Sequence, residues 1–390
     1  MGGLFNPLYV SMYLLFKSKN VTDKETREAK WAKARPIAPQ TKHPMRRLFH
    51  ITGRAWSFVT ANMPGEHFVI NHGGEIPAFM EEAQRCLAPK GKIRCEVKDI
   101  EGCFPNMPKD AIRLGLRDQI NLIRRELGHD GVIVPNKDSE RCSWTTRKRY
   151  GFKKIPFETM LDVMDFALDN TLIKSLDGTL WKQIDGIPMG DPHSPGMTIG
   201  ACGWMEREWL QTLSTATKDL FMAKRYMDDI LMFYADTPNF DNTRFCESFN
   251  KSDCYWAPLK LEDGKKDTFL ETTFEITEAN TIRHWLKNEN EIGKQPKTWR
   301  YAHFRSYATF EAKKAVLIAV LKRLHKMASD DKALVPSAIQ KLHEFTNLEY
   351  PAKLIWTACT TLAVTTRNPT WFKIRGAVRK QNPPCKTTGW

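Results

Sequence analysis

The sequence predicts an α+β fold, in which helices and strands are mixed without a regular strand–helix–strand alternation. Two segments, Ile93–Val97 and Ala223–Phe233, carry the alternating or β-branched apolar side chains of strands. A third, Phe310–Met327, places apolar residues at helical spacing and lysines on the opposite face. With 390 residues, the chain is long enough for two or three subdomains.

Charge is the most unusual bulk property of the chain. It carries 59 Lys and Arg against 45 Asp and Glu, a formal net charge of +14. Such a field attracts polyanions and favours a nucleic-acid partner. Nine cysteines occur without a CxxC pair, which argues against a zinc site or a disulfide framework. No segment is apolar over the length of a membrane span, so we expect a soluble, intracellular protein. The sequence does not identify the compartment, and the nucleus and an organelle are both compatible with it.

The remaining elements follow along the chain. A basic, proline-containing segment from Lys17 to Arg47 predicts loops and short strands, because proline disfavours long helices. Helices are predicted at Ile76–Leu87, Pro108–Leu127, Pro156–Ile173, Gly196–Leu213 and Phe310–Met327. Strands or hairpins are predicted at Leu180–Ile184, Phe269–Ile276 and Thr281–Trp285, with an irregular insertion or hairpin at Gly128–Lys154.

The strongest chemical signal is Tyr226-Met227-Asp228-Asp229, at a tight turn between two apolar strands. Two adjacent carboxylates in such a setting are costly unless each charge has a partner or a metal. Adjacent strand residues point to opposite faces, but a tight turn lets both carboxylates converge. An Asp-rich surface turn is the alternative interpretation, and the aliphatic residues on both sides argue against it.

A third carboxylate, Asp99, ends the strand that begins at Ile93. Alone, a strand-end Asp is commonly a cap. Combined with Asp228 and Asp229, it completes the oxygen ligands of a two-metal site, where ions roughly 3.5–4 Å apart clamp the attacking and leaving oxygens of a phosphoryl transfer. We therefore expect the three carboxylates to meet and hold two Mg²⁺ ions, for which Mn²⁺ can substitute.

A Gly/Pro-rich loop, Gly186–Pro195, supplies the third signal. Gly190 lets the backbone approach a ligand closely. Ser194 and Pro195 can begin the following helix, whose backbone N–H groups would lie beside an anion or a base. By itself, this pattern indicates only a helix-capping loop.

In this order and spacing, Asp99-x-x-x-x-Phe104, Gly190-x-x-x-Ser194-Pro195 and Tyr226-Met-Asp-Asp229 resemble the palm motifs of reverse transcriptases. The last is similar to the retroviral form. The flanking segments look more like Penelope-like retroelement reverse transcriptases, which are relatives of telomerase. These flanking matches are Arg35-Pro36-Ile37, Asn106-Met-Pro108, Met205-Glu206, Phe269-Leu270-Glu271 and the stretch from Arg300 to Tyr307. The resemblance covers about residues 30–330, and no GIY-YIG endonuclease motif follows Trp285.

The resemblance implies a right-hand polymerase architecture, with fingers, a palm built on an antiparallel sheet, and a helical thumb. The implied divisions are residues 1–90 for the N-terminal segment and fingers, 91–276 for the palm with a fingers insertion at about 111–155, 277–350 for the thumb, and 351–390 for a C-terminal tail.

The resemblance also implies roles at the site. Asp99 and Asp228 would bind both metals, with Asp229 in support and the Ile100 backbone carbonyl as a further ligand. Phe104 would act as a steric gate under the sugar and favour deoxynucleotides, because a ribose hydroxyl would clash with its ring. Core packing is the alternative for Phe104.

Further implied contacts are to the nucleotide and the nucleic acid. The nucleotide would contact Arg35, Gly190, Ser194, Pro195 and Tyr226, with Lys33 as a further candidate. Primer and template would contact Met227, Phe269, Leu270, Arg300, Tyr301, Lys313, Lys314 and Arg323, together with Trp299. Lys260 or Lys265 is a candidate general acid for the leaving pyrophosphate.

The sequence thus predicts a nucleotidyltransferase of a retroelement, an RNA-directed DNA polymerase whose partners are an RNA template, a DNA primer and dNTPs. Two alternatives stay open. One is an RNA-directed RNA polymerase, against which Phe104 argues because those enzymes tend to place a carboxylate there. The other is a domesticated, inert polymerase fold that binds nucleic acid, against which the intact carboxylates argue.

Overall fold

The computed structural model describes residues 10–16, 34–39, 43–144, 151–238, 240–250, 254–288, 290 and 300–381, in which helices and strands are mixed. The strands are β1 Val10–Ser11, β2 Tyr13–Phe16, β3 Ala34–Ile37, β4 Lys92–Ile100, β5 Gly131–Pro135, β6 Phe152–Pro156, β7 Leu172–Lys174, β8 Leu180–Lys182, β9 Phe221–Tyr226, β10 Asp229–Asp236, β11 Leu261–Asp263, β12 Thr268–Phe269, β13 Thr272–Ile276 and β14 Ile282–Leu286. The helices are α1 Arg46–Ala61, α2 Ile76–Leu87, α3 Cys103–Asn106, α4 Lys109–Leu127, α5 Phe157–Asp169, α6 Ser194–Thr212, α7 Thr215–Lys218, α8 Asn242–Asn250, α9 Phe310–Met327, α10 Asp331–Asn347, α11 Ala352–Thr365 and α12 Thr370–Gln381.

An antiparallel sheet with the strand order β11-β4-β10-β9 is the main sheet of the described residues. Its strand β10 is an almost continuous apolar run, because both faces of the sheet are covered. Ile230 and Met232 enter one hydrophobic core, and Leu231 and Phe233 enter another on the opposite face. The predicted hairpin from Ala223 to Phe233 is therefore buried on both sides of its second strand.

Helices cover the face of the sheet that carries Ile230. Helix α6 packs against α4 and α1, and α5 packs against both of these. The shared core is built around large buried side chains such as Trp56 and Phe157. The opposite face is covered by α2 and the sheet β12-β13-β14, with Phe79 and Phe274 packed against Phe233 at ring-centroid distances of 5.8 and 5.6 Å.

Helices α9 to α12 surround a further core, which includes Leu321, Phe345 and Trp371. The prediction of a C-terminal tail from residue 351 is therefore wrong for the described residues, since α11 and α12 bury apolar side chains such as Ile355 in this core. The basic composition of the segment suggested a tail, but its apolar residues recur at helical spacing and find a partner surface only in the folded chain.

Most predicted elements are present. Helices α2 and α9 have the predicted ends, and Gly128–Lys154 holds β5 and the first part of β6, two strands that pair antiparallel. Helix α5 stops at Asp169 rather than Ile173, because Ile173 pairs in parallel with Val10 of β1. That pairing joins residues far apart in sequence, so local periodicity does not reveal it.

Two predictions from the sequence, that the chain has no membrane span and no disulfide framework, can be compared with the described residues. None of the described helices is long and apolar enough to cross a membrane. All eight cysteines that the structure describes are free thiols, and four of them are buried. No disulfide therefore contributes to the described part of the fold.

Candidate active site

Asp99 and Asp229 are directly opposed in the antiparallel register of β4 and β10. Opposed residues in such a pair have Cα atoms about 4.5–5.5 Å apart. Asp228 occupies the turn before β10, and its carbonyl accepts a 3.0 Å hydrogen bond from the Ile100 N–H. The fold thus brings together the three carboxylates that the sequence pattern singled out.

The hairpin that carries Asp228 turns within two residues. Met227 has a φ of 57°, in the left-handed region that side chains other than glycine rarely adopt. The Arg225 guanidinium donates a 2.8 Å hydrogen bond to the Met227 carbonyl. Tyr226 ends β9 with 37% of its surface exposed, so its ring remains accessible beside the turn.

The carboxylates of the site repel one another. Burial, followed by the negative charges of Asp228 and Asp229, raises the pKa of Asp99 from 3.8 to about 7. A hydrogen bond with Glu262 also raises this pKa. A divalent cation among these oxygens would favour the charged form and oppose the repulsion.

Glu262 is a fourth carboxylate that sequence reasoning missed. It lies directly opposite Asp99 on β11, on the side of β4 away from Asp229. Strand β11 is only three residues long and has no alternating pattern, so nothing local marks Glu262 as a neighbour of Asp99. Only the register of the sheet identifies it.

The donor set suits a hard divalent cation. Asp99, Asp228 and Asp229 offer carboxylate oxygens, which are the ligands that Mg²⁺ and Mn²⁺ take. Among the described residues, no group of three or more His, Cys, Asp or Glu side chains is arranged so that it could hold a metal ion as it stands.

Phe104 lies on α3, in the turn that follows β4. Its ring is partly buried against the core, and its carbonyl accepts a 2.9 Å hydrogen bond from the Ile187 N–H. Gly186 has a φ of 67°, and a Cβ at this position would lie 2.2 Å from the Pro105 carbonyl oxygen. The Gly/Pro-rich loop therefore rests on the backbone that carries Phe104, and only glycine permits this approach.

The same loop also contacts β3, which carries Arg35. Ala38 donates a 2.7 Å backbone hydrogen bond to Met189, and Ile37 forms a parallel bridge with Met189. Arg35 is exposed, and Gly190 is exposed with a φ of 107°. The structure thus places the predicted nucleotide contacts Arg35 and Gly190 on neighbouring segments.

Ser194 begins α6, but its hydroxyl is not available to a ligand. The side chain is 1% exposed and donates a 2.7 Å hydrogen bond to the Pro188 carbonyl. A nucleotide contact through the Ser194 hydroxyl is therefore excluded, and a contact through the backbone at the start of α6 stays a prediction. Pro195, the next residue, is exposed at the start of the helix.

Beneath the hairpin, Arg225 and Glu206 form an ion pair in which both side chains are 0% exposed. The Tyr255 hydroxyl donates a 2.9 Å hydrogen bond to one Glu206 oxygen, and the Phe68 N–H donates a 3.0 Å bond to the other. The sequence singled out Glu206 only within the Met-Glu match and assigned no role to Arg225. The one local sign of this network in the sequence is that an arginine, Arg225, precedes Tyr226.

Two predicted primer–template contacts lie at the turn between β12 and β13. Phe269 is 1% exposed, so its prediction as a contact is wrong: strand alternation turns its ring into the core. Leu270 forms the turn with a φ of 52° and is partly buried. Glu271 is paired with Arg323 of α9, which joins the C-terminal helices to this turn.

Lys313 is also placed differently from its prediction. Its side chain is 7% exposed, and its ammonium group donates hydrogen bonds to the carbonyls of Phe304 and Ser306. The expectation of an outward-facing phosphate contact is wrong, because position 313 lies on the buried face of α9 together with Leu317. Lys314, one residue on, is partly exposed.

Tyr301 belongs to the core of the C-terminal helices. Its ring stacks on Phe345 with centroids 4.8 Å apart, and the Lys341 Nζ lies 5.7 Å from its centre. The neighbouring Arg300 is exposed.

Both candidate general acids, Lys260 and Lys265, are exposed. Lys260 lies closer to Asp99 along the sheet, because its carbonyl accepts a 2.8 Å hydrogen bond from the Glu101 N–H just past the end of β4. Lys265 follows the opposite end of β11. Two further predicted contacts, Lys33 and Trp299, lie outside the described residues.

Comparison with known proteins shows the fold. No protein-family model and no curated protein matches the chain. A solved structure of telomerase from Candida albicans, in complex with a TWJ fragment of telomeric RNA, matches with a TM-score of 0.61 over 97% of this chain at 12% identity. An apo telomerase from Candida tropicalis matches with a TM-score of 0.49 over 96% of this chain at 12% identity. The 3Dpol RNA-dependent RNA polymerase of Sicinivirus gives 0.49 over 95% of this chain at 12% identity.

The likeness to the Candida albicans telomerase shows that the chain has a nucleic-acid polymerase fold. The chain spans 62% of the length of each of the two telomerase chains and 68% of the viral polymerase.

Proposed function

We propose that this chain is an RNA-directed DNA polymerase, which extends the 3′-OH of a DNA primer with dNTPs on an RNA template by two-metal-ion phosphoryl transfer. Its motifs favour a Penelope-like retroelement origin. The observation that carries the proposal is the register of the main sheet, which sets Asp99 directly opposite Asp229, with Asp228 in the adjoining turn.

Asp99 and Asp228 would hold two Mg²⁺ ions, with Asp229 in support. When bound, these ions polarise the phosphoryl group and lower the pKa of the primer 3′-OH. The protein's own part is to fix the carboxylates: β4 and β10 hold Asp99 and Asp229 in register, and Ile100 holds the backbone of Asp228. Rigid positioning of this kind is a large share of catalysis in phosphoryl transfer.

Phe104 supports deoxynucleotides as the substrate. It stands at the start of α3, just past the Asp99 end of β4, on a backbone that the loop at Gly186 and Ile187 holds in place. A fixed ring beneath the sugar would leave no room and no hydrogen-bond partner for a 2′-OH.

Basic residues would hold the nucleic acid and the triphosphate. Arg35 is exposed beside the Gly/Pro-rich loop, where a guanidinium can pair with phosphate oxygens. Lys314, together with the exposed Arg300, offers contacts to the sugar–phosphate backbone of primer and template. Such contacts do not depend on base sequence and weaken with salt.

Primer extension tests the proposal. The full chain is incubated with poly(rA)/oligo(dT), Mg²⁺ or Mn²⁺, and either dTTP or UTP. We expect incorporation of dTTP that is lost in Asp228→Asn and kept in Asp236→Asn, a control at the far end of the same strand. Preference for UTP would instead identify an RNA polymerase. Binding of the primer–template without extension would identify a nucleic-acid-binding protein with no polymerase activity.

A further inference from the structure

We infer that Arg225 is a positioning residue for Asp228, with Glu206 as the group that aligns its guanidinium. The inference deepens the proposed function, since it rests on Asp228 being a metal ligand. It assigns a role to two buried side chains that touch neither nucleotide nor metal.

All three nitrogens of the Arg225 guanidinium donate hydrogen bonds. Its Nε donates to Glu206, its Nη1 donates to the Met227 carbonyl at 2.8 Å, and its Nη2 donates to the Ile199 carbonyl at 3.4 Å. Arginine has a planar, rigid fork of donors, so fixing two of its nitrogens fixes the direction of the third. Glu206 and Ile199, both on α6, therefore determine where the Met227 carbonyl lies.

The Met227 carbonyl and the Asp228 N–H belong to one planar peptide unit. Holding this oxygen therefore sets the direction in which the chain enters Asp228. The next peptide unit is also held, because the Asp228 carbonyl accepts the bond from the Ile100 N–H. Arg225 on one side and β4 on the other thus fix the backbone of Asp228 where it approaches Asp99.

The turn needs this support. A left-handed φ at a residue such as Met227 is strained and persists only where the surroundings hold it. A buried ion pair contributes little to stability compared with apolar side chains of similar volume, so stability alone does not account for the pair. The Glu206 oxygens are both satisfied by further donors, Tyr255 and Phe68, which leaves the carboxylate rigid under the guanidinium.

The network also connects the two halves of the site. Glu206 lies on the helix that begins at Ser194, directly after the Gly/Pro-rich loop. Through Arg225 it reaches the carboxylate turn. The loop that faces the nucleotide and the turn that faces the metal therefore share one buried support.

The test compares Arg225→Lys with Arg207→Lys. Arg207 is a matched control: it is a 7% exposed arginine on α6, next to Glu206, and it pairs with Asp118 of α4 instead of contacting the hairpin. Hydrogen exchange of the metal-free protein, read on a peptide spanning residues 221–236, is expected to speed up in Arg225→Lys and to stay unchanged in the control. Mn²⁺ binding, followed by the electron paramagnetic resonance of the free ion, is expected to weaken by about tenfold in Arg225→Lys alone.

A folded Arg225→Lys protein with wild-type exchange and wild-type Mn²⁺ affinity would overturn the positioning role. If Arg225→Lys does not fold, Glu206→Gln decides, because it keeps the side-chain volume and removes the charge that aligns the guanidinium. Glu206→Gln should show the same two changes, faster exchange and weaker Mn²⁺ binding, to a smaller extent. Exchange and Mn²⁺ affinity equal to those of the wild type would overturn the inference. A wild-type protein that binds Mn²⁺ but extends no primer would sink the proposed polymerase and leave the positioning role standing.

Discussion

Gly186 lies against the backbone of Pro105 so closely that a Cβ would be 2.2 Å from the Pro105 carbonyl oxygen and 2.7 Å from that of Phe104. Both obstacles are backbone atoms, which cannot swing aside as the end of a side chain can. We therefore expect Gly186→Ala to move the turn that carries Phe104 and to lower the free energy of unfolding by about 1–3 kcal/mol beyond the cost of a left-handed φ. Thermal or urea unfolding measures this loss.

Gly178→Ala is the control for Gly186→Ala. Gly178 also has a positive φ, of 91°, but a Cβ there would meet only the flexible end of Lys174 at 3.8 Å. Both variants share the strain of the backbone angle, and only one has the clash. Equal losses of stability in the two variants would contradict the close packing of the loop on Pro105.

Sugar discrimination should depend on Phe104. In Phe104→Ala, the preference for dTTP over UTP in kcat/KM is expected to fall by about tenfold or more, because the ring no longer fills the space below the sugar. Phe240→Ala removes a partly buried ring that packs on Phe245 of α8, and it should leave the ratio unchanged. An unchanged ratio in Phe104→Ala would show that Phe104 only packs in the core.

The charge of Asp99 should make the metal-free protein pH-sensitive. Its pKa is about 7 in the folded chain against 3.8 without the fold, so between these values the folded state binds the proton more strongly. The stabilisation is complete below about pH 4 and is lost as pH rises through 7. In EDTA, the unfolding free energy of wild type relative to Asp99→Asn should therefore decline from pH 5 to pH 8.

Asp263 provides the contrasting case for this pH dependence. Its hydrogen bond to Lys98 lowers its pKa, so the proton is already released in both states above pH 5. The difference between wild type and Asp263→Asn should thus be flat from pH 5 to pH 8. A flat profile for Asp99→Asn as well would mean that neither burial nor the neighbouring carboxylates raise the pKa of Asp99 in solution.

The same substitution should change a different property at each of two neighbouring lysines: stability at Lys313 and nucleic-acid binding at Lys314. Lys313→Met leaves the Phe304 and Ser306 carbonyls without their donor and is expected to lower the unfolding free energy by about 1–3 kcal/mol. Lys314→Met should have little effect on stability and should reduce the salt dependence of primer–template binding. Urea unfolding and binding at several salt concentrations separate the two effects.

The sequence alone determined the elements whose signal is local. Helix α9 and the β9–β10 hairpin follow from periodicity and from an apolar run of strand length. The adjacent pair Asp228 and Asp229 stands out because charge in an apolar hairpin is costly, and this cost is visible without a structure. The order of the motifs then indicated a polymerase fold, which the likeness to a solved telomerase shows.

Tertiary structure alone decided which side chains meet across sequence distance. Glu262 lies opposite Asp99 through strand register, and Glu206 reaches Arg225 through the packing of a helix under a hairpin. Lys313 is buried because two carbonyls from the preceding loop receive its ammonium group, and a helical pattern cannot show this. Local sequence reasoning places a charged residue at the surface, because a buried charge needs partners. Only the folded chain shows which groups those partners are.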